Sequence, residues 1–522
     1  MHTRLSKKNI VQKTVQVASA TLLSRLFGIV REFLMVSYLG AGAVSDAFIA
    51  AFRIPNSLRK IFAEGALSAT FVPTLVATMR NQGQVSANRL MTLGFLVFEG
   101  VLCLICALAI WKASVVIHFV APGFSEEQLN DAIPLLRLLM PFILFISSSA
   151  LLAGALQSSG KFLVPAFAPV VLNGILIAGL IACIIGKLSI NYLCITILIG
   201  GFVNFIMHII AYCRINFSLS HINFATLKTF WSTLVRFIPC SISMSITEIS
   251  ALVDCRFSSY LAVGTLSLVN YANRFLGIPV GVFGVAFSTI LLPHLSRIGT
   301  YAPRRMGFYL LEASKLIFWV MLPIACMMAL FAEKFFITIF VPTGKFTLEQ
   351  ATEAGTILAA YLIGLSSIAL NKILLNIYYA LHSAWIPFWI SIITTLINIG
   401  ANMAFIGPLG SPGLALATSL AVIVQTLLLV LLLHKHFKIR MYTRVFIDFF
   451  IRYSAQLLCI LTPLFLTYHW IHKTIAIHAP TWSFFLLERI GFWFWVSPLC
   501  ATGLCIIFVT RKYFGIKLYF ID

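Results

Sequence analysis

SRLFGIVREFLMVSYLGAGAVSDAFIAAFRIPNSLRKIFAEGALSATFVP, residues Ser24 to Pro73, decides how this chain must fold. Its apolar runs read as two consecutive membrane-spanning helices, yet it holds Arg25, Arg31, Glu32, Asp46, Arg53, Arg59, Lys60 and Glu64. A charge near a bilayer midplane costs about 2.5 to 3.5 kcal/mol on insertion scales, so charges clustered on neighbouring helices face a wet cavity or a charged ligand. The stretch is a candidate binding site as well as a pair of spans.

The rest of the chain has the composition of a membrane protein. Of its 522 residues 60% are hydrophobic and only 10% charged, where soluble domains carry about a quarter charged residues. The formal net charge of +21 is spread over short loops and helix ends, which fits topology and anionic headgroups and argues against nucleic acid. The eleven cysteines mostly sit inside apolar runs. Cys103 and Cys106 form a C-x-x-C without a second ligand pair, so they read as packing residues. The basic N-terminus leads into a segment without a cleavage signal, and the first span is expected to be retained.

Apolar windows of about 20 residues give fourteen spans: 15–38, 45–76, 91–117, 132–157, 162–186, 190–213, 230–258, 263–293, 313–340, 352–380, 385–406, 412–434, 446–470 and 490–510. The predicted fold is all-α and polytopic. With the N-terminus inside, inside segments carry Lys7, Lys8, Arg80, Arg89, Lys161, Arg214, Arg304, Arg305, Lys435, Arg440 and Lys512 among others, and outside segments carry Lys187, Lys334, Lys345, Lys473 and Arg489. That asymmetry predicts an even number of spans with both termini cytoplasmic.

The chain also repeats itself. SYLGAGAVS from Ser37 aligns with SYLAVGTLS from Ser259, placing Gly42 opposite Gly264, and Ala66, Ser68 and Pro73 then lie opposite Ala286, Ser288 and Pro293. Phe124 and Gln128 match Phe346 and Gln350, and Ala155, Leu156, Ser158 and Asn173 match Ala380, Leu381, Ser383 and Asn398. Six spans per unit is an even number. The halves therefore share one orientation and are expected to be related by a pseudo-twofold axis along the membrane normal, with a site between them near the midplane.

Helical spacing groups the charges. Ser24 with Arg31, and Arg25 with Glu32, are seven residues apart and form adjacent stripes, with Gly28 leaving room between them. Arg53 and Lys60 share a face; Pro55 and Asn56 are expected to break the second span between them, and Lys60 with Glu64 could form an ion pair. Arg274, in NYANRFLGIPVG, occupies the matching region of the second half, and Asn173 could add a neutral hydrogen bond. Converging guanidinium forks suit phosphate oxygens, so the expected ligand is an anion, a phosphate or diphosphate. The bland alternative is snorkelling of the arginines to headgroups.

A second constellation is of cation type. Asp254 in the seventh span, Asn398 and Asn402 one turn apart, and Thr418 offer one carboxylate and neutral oxygens, chemistry suited to sodium. The alternative is interhelical hydrogen bonding by Asn and Thr, with Asp254 paired to Arg256. The motifs include no P-loop, zinc signature or nucleophile elbow, and the reading is of a protein that is not an enzyme.

SRLFGIVRE, GAGAVSDAF, FRIPNSLRKIFAEGALSATFVP, APGF at Ala121, PAFAPVVLN at Pro165, YANRFLGIPVGVFGVAFSTILLPHLS and GKFT at Gly344 resemble the MurJ (MviN) family of bacterial lipid II flippases. That family belongs to the superfamily of multidrug and oligosaccharidyl-lipid exporters. The resemblance implies two six-helix lobes, 1–222 and 223–440, around a cationic cavity, and two further helices, 441–522, shaping a groove for a polyprenyl tail. It implies that Ser24, Arg25, Arg31, Asp46, Arg59, Glu64, Asn173 and Arg274 match cavity or functionally sensitive positions, to which the residue reading adds Glu32 and Arg53.

Two positions depart from the family pattern: Asn273, often acidic, and Asn402, where a carboxylate of a sodium-type site is expected. The function implied is alternating-access transfer of lipid II across a bacterial inner membrane, with no cofactor apart from sodium as a candidate ion. Lipid II and membrane lipids are the expected partners, cell-wall synthesis proteins are candidates, and a monomer is expected. A multidrug exporter or a flippase for another polyprenyl-linked glycan is the alternative within transport, and a polytopic glycosyltransferase the rival outside it. A drug-cation exporter calls for an acidic, aromatic cavity, whereas this one is rich in arginine.

Overall fold

A bilayer core offers backbone groups no water, so a chain this apolar satisfies them internally as helices. The computed structural model describes residues 7–215, 220–284, 287, 305–381, 383, 385–440, 442–478 and 480–521, and among them every regular element is helical. Among the described residues nine helices are long and apolar enough to cross a membrane, and a pair bent by 44°, Leu348–Leu362 and Leu365–Tyr378, makes a tenth. These ten coincide with predicted spans three to six and nine to fourteen. The other four predictions, spans one, two, seven and eight, are the first two helices of each repeat, and they hold most of the charges singled out above. The eighth is described to Gly284 and at residue 287; repeat positions Ala286, Ser288 and Pro293 lie outside the described residues.

Two compact units divide the chain, Met1–Ser267 and Leu268–Asp522. In the first, α1 (Lys7–Leu39) packs along α8 (Leu163–Ile185), and α8 and α7 (Phe142–Ser158) pack on α9 (Ile190–Tyr212). The second span is α2 (Ala43–Leu58), a π-helical run Arg59–Phe71, and α3 (Val72–Gln82). The expected break at Pro55 is instead a continuous but widened helix. Pro55 lies inside α2 and removes a backbone donor, and the following run closes with Val72 N–H on the Leu67 carbonyl, five residues back.

Phe71, Leu75, Leu90, Phe98, Phe230 and Phe237 form an apolar core shared by the π-helical run, α3, α4 (Gln84–Trp111) and α10 (Phe224–Ser258). By sequence α10 opens the second repeat, yet by packing it belongs to the N-terminal unit. The repeat boundary at 222/223 and the packing boundary at 267/268 are thus different objects.

The sequence repeat is realised as repeated local geometry. α6 (Glu126–Leu139) starts with a capping box in which Ser125 Oγ accepts from Gln128 N–H at 3.3 Å and Ser125 N–H donates to Gln128 Oε1 at 3.1 Å. In the C-terminal unit, Thr347 and Gln350 cap α13 (Leu348–Leu362) in the same way at 3.2 and 3.1 Å. Phe124 and Phe346, one residue before each cap, are both buried.

In that unit α12 (Met306–Phe340) packs on α13, and α14 (Leu365–Ala380), α15 (Trp385–Leu409) and α16 (Ser411–Phe437) pack together. The final helices α17 (Thr443–His478), α18 (Pro480–Glu488) and α19 (Phe492–Thr510) are tied to α12. Tyr453 donates to the Trp319 carbonyl at 2.6 Å, Trp493 Nε1–H to Thr338 Oγ1 at 2.9 Å, and Lys334 pairs with Glu488 at 3.0 Å. Between α12 and α19 lies an apolar groove of about 360 Å³ lined by Trp319, Pro323, Leu504 and Phe508.

Candidate functional site

The charged residues of α1 are organised by one asparagine. Asn173, buried on α8, accepts from Arg31 Nη1 through Oδ1 at 3.0 Å and donates through Nδ2 to the Ser24 carbonyl at 3.2 Å. One side chain thereby spans the two helical turns that separate Ser24 from Arg31. Gly28 lies against the same amide: a Cβ there would stand 3.8 Å from Asn173 Nδ2, in ordinary contact. Arg31 Nη2 is paired with the neighbouring Glu32 carboxylate, while Arg31 Nε is buried without a hydrogen-bond partner. The Arg31 side chain keeps 25% exposure. It is a fork held in place with donor capacity in reserve, and Arg25 lies one stripe over on the same helix.

On the second span the arginines find partners that the primary structure alone did not identify. The Arg53 guanidinium donates to the Ala251 carbonyl on α10. Arg59 donates through Nε and Nη2 to Asn56 Oδ1 at 3.2 and 3.1 Å, one turn back on its own helix. Lys60 pairs with Glu248 of α10 at 2.9 Å, and Ser57 donates to the other oxygen of the same carboxylate at 2.9 Å. The Lys60 ammonium is therefore on Glu248; the Glu64 side chain lies outside the described residues. Glu248 is the main residue that the sequence reading passed over. The signal was available, since it is an ionisable group in an apolar span just as Arg53 is.

Asp46 has a different task. Its Oδ2 accepts from Gly264 N–H at 2.6 Å, and its Oδ1 accepts from Ser267 N–H at 2.8 Å and Ser267 Oγ–H at 2.5 Å. Gly264 precedes the first turn of α11 (Thr265–Pro279) and has no side chain with which to cap it, so a carboxylate from the other repeat does so, favoured by the partial positive charge of a helix start. At the equivalent turn Ser45 Oγ accepts from Gly42 N–H at 2.9 Å. Ser45 and Ser267, which the repeat alignment places opposite each other, meet at 2.7 Å between hydroxyl oxygens. Beside them Gly264 holds φ +95°, and a Cβ there would press on the Ala41 carbonyl at 3.1 Å.

The same seam includes the APGF turn. Gly123 N–H donates to Ser259 Oγ at 3.1 Å, and Arg256 donates to the Phe119 carbonyl at 3.1 Å.

Arg274, Asn398, Asn402 and Thr418 lie in the C-terminal unit. Arg274 on α11 donates from Nε to Asn270 Oδ1 at 2.8 Å, and Asn273 beside it is exposed. Asn398, Asn402 and Thr418 come together between α15 and α16: Asn402 Nδ2 donates to Asn398 Oδ1 at 3.2 Å, Asn398 Nδ2 to Thr418 Oγ1 at 3.3 Å, and Thr418 Oγ1 to the Leu414 carbonyl at 3.1 Å. Asp254, the carboxylate grouped with them in the sequence, lies on α10 in the N-terminal unit. Among the described residues no group of three or more His, Cys, Asp or Glu could hold a metal ion.

A sequence model of the family described as "Lipid II flippase MurJ" matches residues 35–491. The chain is 32% identical over 435 residues to the lipid II flippase MurJ of Burkholderia cenocepacia, which spans 82% of this chain and 84% of that protein. Among solved structures, a lipid II flippase MurJ in an inward closed conformation superposes with a TM-score of 0.79 at 26% identity, covering 96% of this chain and 99% of the other. A multidrug-resistance MATE-family transporter superposes at 0.68 with 14% identity over 80% of this chain and 96% of its own, a likeness of fold.

Proposed function

The chain belongs to the MurJ family of lipid II flippases, and from that premise we propose that it moves lipid II, an undecaprenyl-diphosphate-linked peptidoglycan precursor, from the cytoplasmic to the periplasmic leaflet of a bacterial inner membrane. The observation that carries the reading is the family match over residues 35–491. The geometry supports it. A diphosphate needs donors already aimed and partly unspent, and Arg31, fixed by Asn173 with its Nε unused, is such a donor. Arg25, Arg53, Arg59 and Arg274 would add positive charge for the same headgroup, while Ser24 and Asn173 hold Arg31 in register.

Glu32 sets a threshold. An incoming diphosphate must outcompete a carboxylate already paired with Arg31, which selects for a doubly charged anion over a weak one. Asp46 would act by positioning α11 rather than by touching the ligand, and Glu64 is assigned to the site from its place in the family motif. The two lobes, 1–222 and 223–440, would alternate access with both termini cytoplasmic. The isoprenoid tail would stay in lipid, guided by the apolar groove between α12 and α19.

Asn398, Asn402 and Thr418 form an interhelical hydrogen-bond chain in which the Asn398 oxygen accepts from Asn402 and the Thr418 oxygen from Asn398. Each of these oxygens keeps a second lone pair, and sodium stays the candidate coupling ion for this cluster. The function is tested by reconstituting the chain in liposomes with labelled lipid II in both leaflets and reading the label's accessibility from outside. Redistribution that depends on the protein supports a flippase; covalent modification of the label would instead indicate a transferase.

A further inference from the structure

Glu99 is used by nothing described so far. It lies near the middle of α4 (Gln84–Trp111), a span with 18 consecutive residues averaging a hydropathy of 2.6, so that its carboxyl falls close to the bilayer midplane. It faces inward with 8% exposure, next to the core residues Phe98 and Leu102, and its Oε1 makes no hydrogen bond. The groups that face it are the hydroxyls of Ser147 and Ser148 on α7, a helix without ionisable residues, and Ser147 Oγ is itself buried without a partner. No charged group of α3, α5 (Ala113–Val120), α6 or α10, the other elements packed on α4, faces it among the described residues; one turn along α4 is the Cys103 thiol.

A buried carboxylate without a cation costs several kcal/mol relative to water, whereas the neutral acid is an ordinary hydrogen-bonding group that can donate to a serine hydroxyl. Selection for packing alone would place an apolar residue or an amide here. We propose that Glu99 is a proton-binding site: the carboxyl is protonated while enclosed between α4 and α7 and exchanges its proton with water when that contact opens. The ligand class is the proton. The step is a proton transfer from carboxyl to water, or back, with no other bond made or broken. In a transporter that alternates access, such a group would tie one proton to one packing state of the N-terminal unit. This last clause rests on the transport reading; the proton site itself does not.

Infrared difference spectroscopy on the full chain in lipid nanodiscs, without lipid II, tests it. The wild type is expected to show at neutral pH a protonated-carboxyl C=O stretch that shifts in heavy water, disappears in Glu99→Gln, moves without vanishing in Glu99→Asp, and fades reversibly as pH is raised. Labelling glutamate with carbon-13 in the wild type must move the same band, which keeps the assignment independent of whether either variant folds. Absence of the band, its persistence in folded Glu99→Gln, or its insensitivity to pH in folded wild type would each overturn the proposal. Because no substrate is present, these results stand whatever the cargo proves to be.

Discussion

Arg31 is a cation in a span that must cross hydrocarbon, and two polar groups beside it make that tolerable, the Asn173 amide and the Glu32 carboxylate. Removing the fork removes charge-assisted hydrogen bonds worth about 1.5 to 3 kcal/mol each, and each 1.4 kcal/mol is about tenfold. Arg31→Ala should therefore lower lipid II translocation by about tenfold or more at near-normal membrane levels. Arg31→Lys, which keeps the charge and loses the planar fork, should fall between. Growth of a flippase-depleted strain on each variant reads this directly, and wild-type growth of Arg31→Ala would remove the residue from the site.

Asp46 makes the opposite kind of prediction. With both oxygens engaged in capping α11, Asp46→Ala leaves buried donors unpaired and should cost about 1 to 3 kcal/mol of stability. A lowered melting temperature with unchanged lipid II affinity in the folded fraction is the expected pair of results. Unchanged melting with lost affinity would make Asp46 a ligand contact instead.

Elements, rather than residues, explain what the sequence could not disclose. Long apolar spans were legible because nothing else satisfies a twenty-residue apolar run in a membrane. The π-helical run after α2 was not, since Pro55 announces a missing donor and says nothing about whether the helix breaks or widens. The roles of Arg53 and Lys60 were half legible: their charge and face could be read, but their partners on α10 are set by tertiary packing almost two hundred residues away. Two tests belong here. Glu248→Gln deprives Lys60 of its counter-charge and should destabilise the seam between α2 and α10, read as faster backbone hydrogen exchange in both helices; exchange unchanged in both would show that the pair contributes nothing. Gly123→Ala would drive a methyl into the Ser259 backbone carbonyl, which cannot swing aside as a side chain can. It should lower the melting temperature more than Gly100→Ala, where a Cβ meets nothing.

For the molecule as a whole, the repeat carries the account. Matching glycines and serines announced two related halves, and the structure turns the match into paired capping boxes and into the direct contact of Ser45 with Ser267. What the repeat could not convey is that packing divides the chain 45 residues later than the alignment does, the difference between 267 and 222. In the cation cluster, Asn398, Asn402 and Thr418 meet on neighbouring helices, and Asp254 lies on α10 of the N-terminal unit. With only neutral oxygens among Asn398, Asn402 and Thr418, any preference of wild-type transport for sodium over potassium at fixed ionic strength should be weak, and Asn402→Asp, which adds a carboxylate to that cluster, should strengthen it; no sodium response in either protein would leave the three as interhelical hydrogen-bonding groups only.

The central claim, that this chain turns lipid II over between leaflets using the Arg31 fork, is tested most directly in one reconstituted system. Liposomes with fluorescent lipid II and wild-type protein should expose inner-leaflet label to an external quencher, and liposomes with equal amounts of folded Arg31→Ala should do so at least about tenfold more slowly, the rate cost of losing one charge-assisted bond. Equal rates for the two proteins, or no turnover by the wild type, would contradict the account.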